Sequence, residues 1–293
     1  MNLLIVKLIM ENRKIKIFVV YHKEPIFVET KDIIPIQVWK KISKKDFWIM
    51  WDDTWYNISD KNKDYAELTA QYWVRKNYNL SDIDYVWFCH YRRYFTYKYK
   101  YNFLDSIKII YKESESIIDF FTRLLFYFKR SLCTDRIENI KKIEDNFLEL
   151  KRYIESTKKN AYLSKPLFTF SLKRLWIENN KIWDIFKKSL LYLYPDYESE
   201  LSSLDSLHEY NRFNMFIMDF KTCKQYAERQ FNVLFEFEKN IKKEWLYEDL
   251  LKEHIIVSWF RPYWYISELM INLWLNHNKD LKISRDLSIT FYW

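Results

Sequence analysis

The sequence contains no glycine in its 293 residues, although average usage of about 7% predicts roughly 20 in a chain of this length. This excludes the glycine-built phosphate loops, GxGxxG and GxxxxGK[ST], and with them the usual dinucleotide-binding and P-loop classes. The chain also has 13 tryptophans, several at positions typical of a turn, such as Trp55 in "DDTWYN". Two explanations are open: strongly AT-biased coding, or a reassigned codon that makes some of these tryptophans glycines.

Cysteines and long apolar runs are scarce as well. Cys89, Cys133 and Cys223 lie far apart without CxxC spacing, which argues against a disulfide framework or a zinc site and favours a reducing compartment. The N-terminal apolar stretch, residues 3–10, contains Lys7 and falls short of the roughly 20 residues that a bilayer crossing needs. We expect a cytoplasmic protein, with a peripheral position on the inner face of the cell membrane left open.

The charge balance favours an anionic partner. The chain has 48 basic and 40 acidic residues, a net charge of +8, and 49% hydrophobic residues, which is ample for a packed core. A positive net charge suits phosphate, nucleic acid or an acidic membrane face. Charge alone does not distinguish among these three.

Two apolar runs end in polar groups. The stretch "IKIFVVY", residues 15–21, is followed by His22, and "DYVWFCHYRRYF", residues 84–95, changes from apolar residues to His90, Arg92 and Arg93. Between them lies a polar loop and the helical pattern "KDYAELTAQYWVRKN". Strand, loop, helix and strand predict a βαβ crossover and a mostly parallel sheet. Because ligands bind beyond the carboxyl ends of such strands, we expect both polar groups to line one crevice.

The remainder of the chain predicts a helical insertion and further sheet. Two amphipathic runs within residues 105–157 indicate a helical hairpin that packs as ordinary core, the alternative being a basic helix on an anionic membrane. After them come "AYLSKPLFTFSL", which is extended in character, and the helix "NNKIWDIFKKSLLYLYP". A third buried strand, "RFNMFIMDF", is followed by a long helix, and the chain closes with a last helix, "FRPYWYISELMINLWLNH". We expect one α/β domain over residues 1–293.

Three segments resemble a known bacterial family. They are "DDTWYNISDKNKDYAELTAQYWVRKN", "YVWFCHYRRYF" and the pair "FNMFIM" with "YWYISELMINLWLNH". The family occurs in capsule and lipopolysaccharide loci, was long described only as a domain of unknown function, and is treated as a glycosyltransferase. The resemblance covers residues 15–100 and 205–280 and departs from the family at positions that look like glycines there: Trp39, Trp55, Trp87 and Trp264.

The resemblance implies transfer of a sugar from a nucleotide-diphosphate donor, expected to be UDP-linked, to a growing capsule or lipopolysaccharide glycan that can be lipid-linked. It implies a fold similar to the GT-A glycosyltransferases, which is Rossmann-like, with a mostly parallel sheet flanked by helices and here a helical insertion. Residues 15–100 are then the half that binds the nucleotide sugar, 105–157 the insertion, and 160–293 the acceptor side. Nucleic acid is not an expected partner.

Candidate donor-binding residues lie around the second strand end. Arg92 and Arg93 suit a diphosphate because a guanidinium pairs with phosphate bidentately; the structural alternative is surface charge. His90 is a candidate to position or protonate a phosphate oxygen, or else a structural donor. Further candidates, each with a core or capping alternative, are Tyr21, His22, Asn57, Lys61, Asn62 and Glu67.

Carboxylates supply the remaining candidates. A general base would activate the acceptor hydroxyl, and Glu268, at the start of the last helix, comes before Asp205 and Asp53; a carboxylate there also simply suits the helix dipole. The adjacent pair Asp52 and Asp53 is the candidate site for Mg²⁺ or Mn²⁺. A turn or capping role is the alternative for that pair.

Two other classes remain open. A nucleic-acid-binding protein would explain the net charge and the 20% aromatic content, but the basic residues alternate with acidic ones instead of clustering. A catalytically inactive scaffold of a polysaccharide assembly complex is the other alternative.

Overall fold

Runs of β-branched and aromatic residues form the strands of a computed structural model that describes residues 14–27, 29–97, 140–168, 180–204, 209–211, 213–243 and 261–291. The strands are β1 (Ile15–Tyr21), β2 (Ile33–Gln37), β3 (Met50–Trp51), β4 (Tyr85–His90), β5 (Arg93–Thr96), β6 (Ala161–Ser164), β7 (Leu167–Phe168), β8 (Glu209–Tyr210), β9 (Phe216–Asp219) and β10 (Ile283–Phe291). The helices are α1 (Asn62–Tyr65), α2 (Leu68–Asn77), α3 (Ile140–Thr157), α4 (Asn180–Leu193), α5 (Glu198–Ser203), α6 (Phe220–Lys243) and α7 (Pro262–His277).

Eight strands form one mixed sheet in the order β3-β2-β1-β4-β5-β10-β6-β9. The first four are parallel neighbours, as the βαβ pattern predicts. Strand β9 also pairs with β4, so that β4, β5, β10, β6 and β9 close into a barrel-like ring. Within this ring only β6 and β10 are parallel. The expected α/β class is confirmed, but the sheet is mixed and not mostly parallel.

The chain reverses direction at the end of β4. Residues 84–95 were expected to form one strand, but a turn at Tyr91 and Arg92 separates β4 from β5, and His90 pairs with Arg93 across it. No glycine or proline marks this turn, so the apolar and aromatic pattern reads as continuous. The reversal makes β5 antiparallel to β4 and places the His90–Arg93 segment at the carboxyl end of the parallel strands.

Alternate side chains of β1 and β4 build two cores, one on each face of the sheet. Phe18 and Phe88 belong to the larger core, which contains residues of α2, α4, α6 and α7. Ile17 and Trp87 belong to the smaller core, which α3 covers. Burial on both faces explains why these strands are continuous apolar runs.

Helix α3 confirms the core interpretation for the second half of the predicted insertion. Its apolar face, formed by Ile143, Phe147, Leu150 and Ile154, is almost completely buried in the smaller core. The first half, residues 105–139, lies outside the described residues. Among the helices that the structure describes, none is both long and apolar enough to cross a membrane.

The chain does not close with a helix. Strand β10 follows α7 and inserts between β5 and β6. Its sequence, "ISRDLSITF", mixes polar, charged and apolar residues, of which Leu287 and Thr290 are fully buried. The other predicted elements, the strand at β9 and the helices at α4 and α6, are confirmed.

Three tryptophans adopt left-handed backbone angles. Trp39, Trp48 and Trp55 have φ of 66°, 56° and 45° and side chains that are 42%, 87% and 78% exposed. A bulky residue in this region is a conformational outlier, whereas glycine adopts the same angles without steric cost. Trp87, in β4, and Trp264, in α7, have no such angle. The backbone angles therefore support glycine-like positions at Trp39 and Trp55, and they identify Trp48 as a third. They do not support a glycine-like position at Trp87 or Trp264.

We predict that Trp48→Gly raises the free energy of unfolding by about 1 kcal/mol, because the left-handed angle disfavours any residue with a Cβ atom. Urea denaturation measures the change. The control is Trp87→Gly, which removes a completely buried side chain and lowers stability by about 3 kcal/mol or more. A loss of stability in Trp48→Gly contradicts the assignment.

Candidate functional site

The carboxyl ends of β1 and β4 lie side by side, as the sequence predicts. Val20 pairs with His90 in the parallel register, and the residues after these positions meet in space. The ring of His22 contacts the ring of Tyr91 edge-on, with 4.5 Å between centroids. The guanidinium of Arg92 lies 4.9 Å from the centroid of the Tyr91 ring. An aromatic and cationic surface thus forms where parallel strands usually present ligands.

Positive charge accumulates at this edge. Although His22 keeps an exposed surface, desolvation of its ring and the charges of Lys23, Arg261 and Arg92 lower its pKa to about 4. Arg261 directly precedes Pro262, the first residue of α7, so the positive end of that helix dipole lies beside it. We define the cationic edge as Arg92 and Arg261, the His22 ring on which their charges act, and the amino end of α7. It suits an anionic ligand.

A buried polar cluster lies behind the cationic edge. Glu67, only 8% exposed, accepts hydrogen bonds from the Trp264 indole and from Asn214, the latter at 3.3 Å. Its Oε1 atom lies 3.3 Å from Nε2 of His90, and Nδ1 of His90 lies 3.3 Å from Nη1 of Arg93. We call these five residues the Glu67 cluster. His90 belongs to β4, Arg93 to β5 and Trp264 to α7, while Glu67 precedes α2 and Asn214 precedes β9. The cluster therefore connects five parts of the fold.

The hydrogen bonds determine the protonation of the cluster. A guanidinium only donates, so the contact between Arg93 and Nδ1 of His90 requires the tautomer with the ring proton on Nε2. That proton faces the carbonyl oxygen of Phe213 at 2.8 Å and the Glu67 carboxylate. Burial raises the pKa of Glu67, but the neighbouring His90 and the hydrogen bonds outweigh it and hold this pKa below its usual value. The carboxylate stays ionised at neutral pH.

A break in the predicted helix positions Glu67. The pattern "KDYAELTAQYW" reads as one helix, but Ala66 has φ of 51° and separates α1 from α2. The side chain of Asn62 donates to the Ala66 carbonyl at 2.6 Å and to Thr69 at 2.9 Å, which stabilises the break. Glu67 then lies at the start of α2, beside the strand ends. No sequence signal marks this break, because alanine is a strong helix former.

A strained turn forms the opposite wall. Phe213 and Asn214 both have positive φ, 74° and 50°, an arrangement that persists only where surrounding contacts determine it. The Glu268 carboxylate accepts from the Phe213 amide at 2.5 Å, and Ser267 donates to Asn214 at 2.7 Å. Arg93 lies over the Phe213 ring at 4.4 Å. Helix α7 thus holds the turn that contacts His90.

The structure brings together some of the predicted site residues. His90, Arg93 and Glu67 share the Glu67 cluster, while Arg92 and His22 line the cationic edge. Glu268 is 2% exposed and contacts the strained turn, so its catalytic role stays a prediction. Sequence reasoning missed Arg261 and Asn214; the only signal for Arg261 was an arginine directly before a proline at a helix start.

The other candidates are buried, have structural partners or lie outside the described residues. Tyr21 has no exposed surface. Asn57 donates to the carbonyls of Asp53 and Trp55, and Lys61 forms an ion pair with Glu238 at 2.7 Å. Asn62 stabilises the break at Ala66, and Asp205 lies outside the described residues. Their roles in binding or catalysis stay predictions.

Asp52, the first carboxylate of the predicted metal site, already accepts hydrogen bonds from the protein. Asp52 is fully buried, and its oxygens accept from the hydroxyls of Ser59 and Thr69, each at 2.6 Å. The backbone amides of Trp39 and Lys40 add two longer contacts. A metal ion does not fit here without displacing these donors. In the described ranges, no group of three or more histidine, cysteine or acidic residues is arranged to hold a metal ion.

Comparisons with known proteins define the fold and the family. The chain resembles the apo structure of the bifunctional glycosyltransferase WbbM, with a TM-score of 0.70 and 24% identity over 96% of this chain and 45% of that one. The chain thus spans less than half of WbbM, and at this identity the likeness establishes the fold. A family model described as a domain of unknown function, DUF4422, matches residues 16–279. The chain belongs to this DUF4422 family. No curated protein matches it.

We predict that Glu67→Gln lowers the free energy of unfolding by about 2 kcal/mol at neutral pH, because it removes a buried, hydrogen-bonded charge. Because the pKa of Glu67 is lowered in the folded state, the carboxylate stabilises that state at pH values above the ordinary glutamate pKa. This stabilisation is lost as the pH falls through the pKa of the folded state. The difference between variant and wild type therefore narrows towards about pH 4 in urea denaturation. Asp184→Asn, at an exposed carboxylate, is the control and changes stability little at either pH. A pH-independent difference contradicts this account.

Proposed function

We propose that the protein is a glycosyltransferase that binds a nucleotide-diphosphate sugar at the cationic edge. The observation that carries the proposal is that His22, Tyr91 and Arg92 meet at the carboxyl ends of two parallel strands, with Arg261 close enough to help lower the pKa of His22. The fold that the chain shares with WbbM, a bifunctional glycosyltransferase, supports the same reaction class. The donor is UDP-linked and the fold a GT-A variant, as the family resemblance implies.

The chemistry of sugar transfer explains the need for this charge. When the glycosidic bond of the donor breaks, negative charge develops on the leaving diphosphate. Fixed cations close to the phosphates stabilise this charge more in the transition state than in the ground state, and so they lower the barrier. Arg92 and Arg261 supply guanidinium groups that pair with phosphate oxygens bidentately. The amino end of α7 adds partial positive charge.

The other residues of the site have distinct roles in this proposal. His22 and Tyr91 offer ring faces and edges to the nucleoside. The Glu67 cluster acts as a positioning group, because it fixes the end of β4 from which Arg92 projects. Glu268 accepts a hydrogen bond from the Phe213–Asn214 turn. Because its carboxylate has this structural role, general base catalysis by Glu268 is the least supported part of the sequence hypothesis. The acceptor is a glycan of the capsule or lipopolysaccharide type, in line with the family resemblance.

We predict that UDP raises the melting temperature of the wild-type protein by several degrees at saturating concentration, because a ligand that binds only the folded state stabilises it. Arg92→Ala weakens UDP binding about tenfold or more, since it removes a charge-assisted contact to phosphate. The control, Arg152→Ala, removes an exposed arginine of α3 and leaves the UDP effect unchanged.

The same assay distinguishes the alternatives. Absence of any shift with UDP and other nucleotides or nucleotide sugars, in a correctly folded protein, contradicts the proposal and favours the inactive scaffold. Tight binding of an oligonucleotide that weakens steeply with salt, together with indifference to UDP, favours a nucleic-acid-binding protein.

A further inference from the structure

A cavity of about 380 Å³ lies between α2, α6 and the sheet, near the amino end of β4. Residues 79–81, which precede β4, and Phe220, which follows β9, line it. The backbone amide of Phe220 donates to the carbonyl of Asp84, which places this opening at the edge of the sheet opposite the cationic edge. The cavity is therefore separate from the proposed donor site.

The floor of the cavity is apolar. Val74, Phe88, Phe216, Cys223 and Ala227 line it, and each is at most 6% exposed. The cavity opens to solvent on one side. Its size lies within the range of small-molecule sites. Replacing water with an apolar group against this lining is favourable, because it removes apolar surface from water.

The rim of the cavity is positively charged. Arg75, Lys76 and Lys224 line it together with one carboxylate, Glu228. In the part of the chain that the structure describes, neither Arg75 nor Lys224 has a carboxylate within ion-pair distance. The helix dipole explains cations in the last turn of α2. It does not explain Lys224, which lies near the amino end of α6, where a positive charge gains nothing from the dipole.

From the apolar floor and the basic rim we propose that this cavity binds an amphipathic small molecule with one apolar body and one anionic head group. The body contacts the floor between Val74, Phe88 and Ala227. The head group lies between Arg75 and Lys224, which bridge the ends of α2 and α6. The proposal does not depend on the glycosyltransferase assignment, because the two sites share no residue.

The test uses decanoate as the probe, with isothermal titration calorimetry on the full chain. We expect saturable binding of one decanoate per protein. Two variants remove the two features of the site. Arg75→Gln combined with Lys224→Gln weakens binding tenfold or more, and Ala227→Phe, which fills the floor, abolishes it. Because Ala227→Phe risks overpacking, its folding is checked by circular dichroism, and the charge variant tests the proposal without that risk.

Three controls make the outcome decisive. Arg152→Gln combined with Lys187→Gln removes two cations elsewhere and leaves decanoate binding unchanged. Arg92→Ala, at the cationic edge, also leaves it unchanged, so failure of the donor site and failure of this site are distinguishable. Decanol, which has no charge, binds at least tenfold more weakly than decanoate. Unsaturable binding, equal affinity for decanol, or full affinity in the charge variant or in a folded Ala227→Phe protein overturns the proposal.

Discussion

The contact between Glu67 and His90 is the constraint on which the rest of the site depends. A buried carboxylate is unfavourable unless donors surround it, and here the donors come from separate parts of the chain. His90 ends β4, Asn214 precedes β9, and Trp264 lies in the first turn of α7. The hydrogen bonds to this one carboxylate therefore hold the strand end, the strained turn and α7 in fixed positions relative to one another. The helix break at Ala66 places Glu67 where these donors can reach it.

This arrangement separates two kinds of charge. Behind the strand end, the Glu67 cluster pairs its own groups, since Arg93 contacts His90 and His90 contacts Glu67. In front of it, Arg92, after β4, and Arg261, before α7, lie close enough to His22 for their charges to lower its pKa. The buried cluster fixes the strand end that Arg92 of the cationic edge follows. Charges held in fixed positions are what electrostatic catalysis requires.

The parallel half of the sheet was predictable because β1 and β4 are continuous apolar runs, buried on both faces, that end in polar residues. That pattern also located His22, His90 and Arg92. The ring of strands was not predictable, because neither the turn after His90 nor β10 carries a glycine, a proline or a clear periodicity. Arg261 and Asn214 reach the site only through tertiary packing, which local pattern does not encode. At Trp39, Trp48 and Trp55 a tryptophan has left-handed backbone angles that usually belong to glycine, so the usual turn signal is missing from the sequence there.

The most direct test of the central claim compares the affinities of UDP, UMP and uridine by isothermal titration calorimetry, in wild type and in Arg261→Ala. If the cationic edge binds a diphosphate, affinity falls at least tenfold from UDP to UMP and further to uridine, and Arg261→Ala narrows the difference between UDP and UMP. Equal affinity for all three compounds, or a difference that Arg261→Ala leaves intact, contradicts the account and returns the strand ends to a purely structural role.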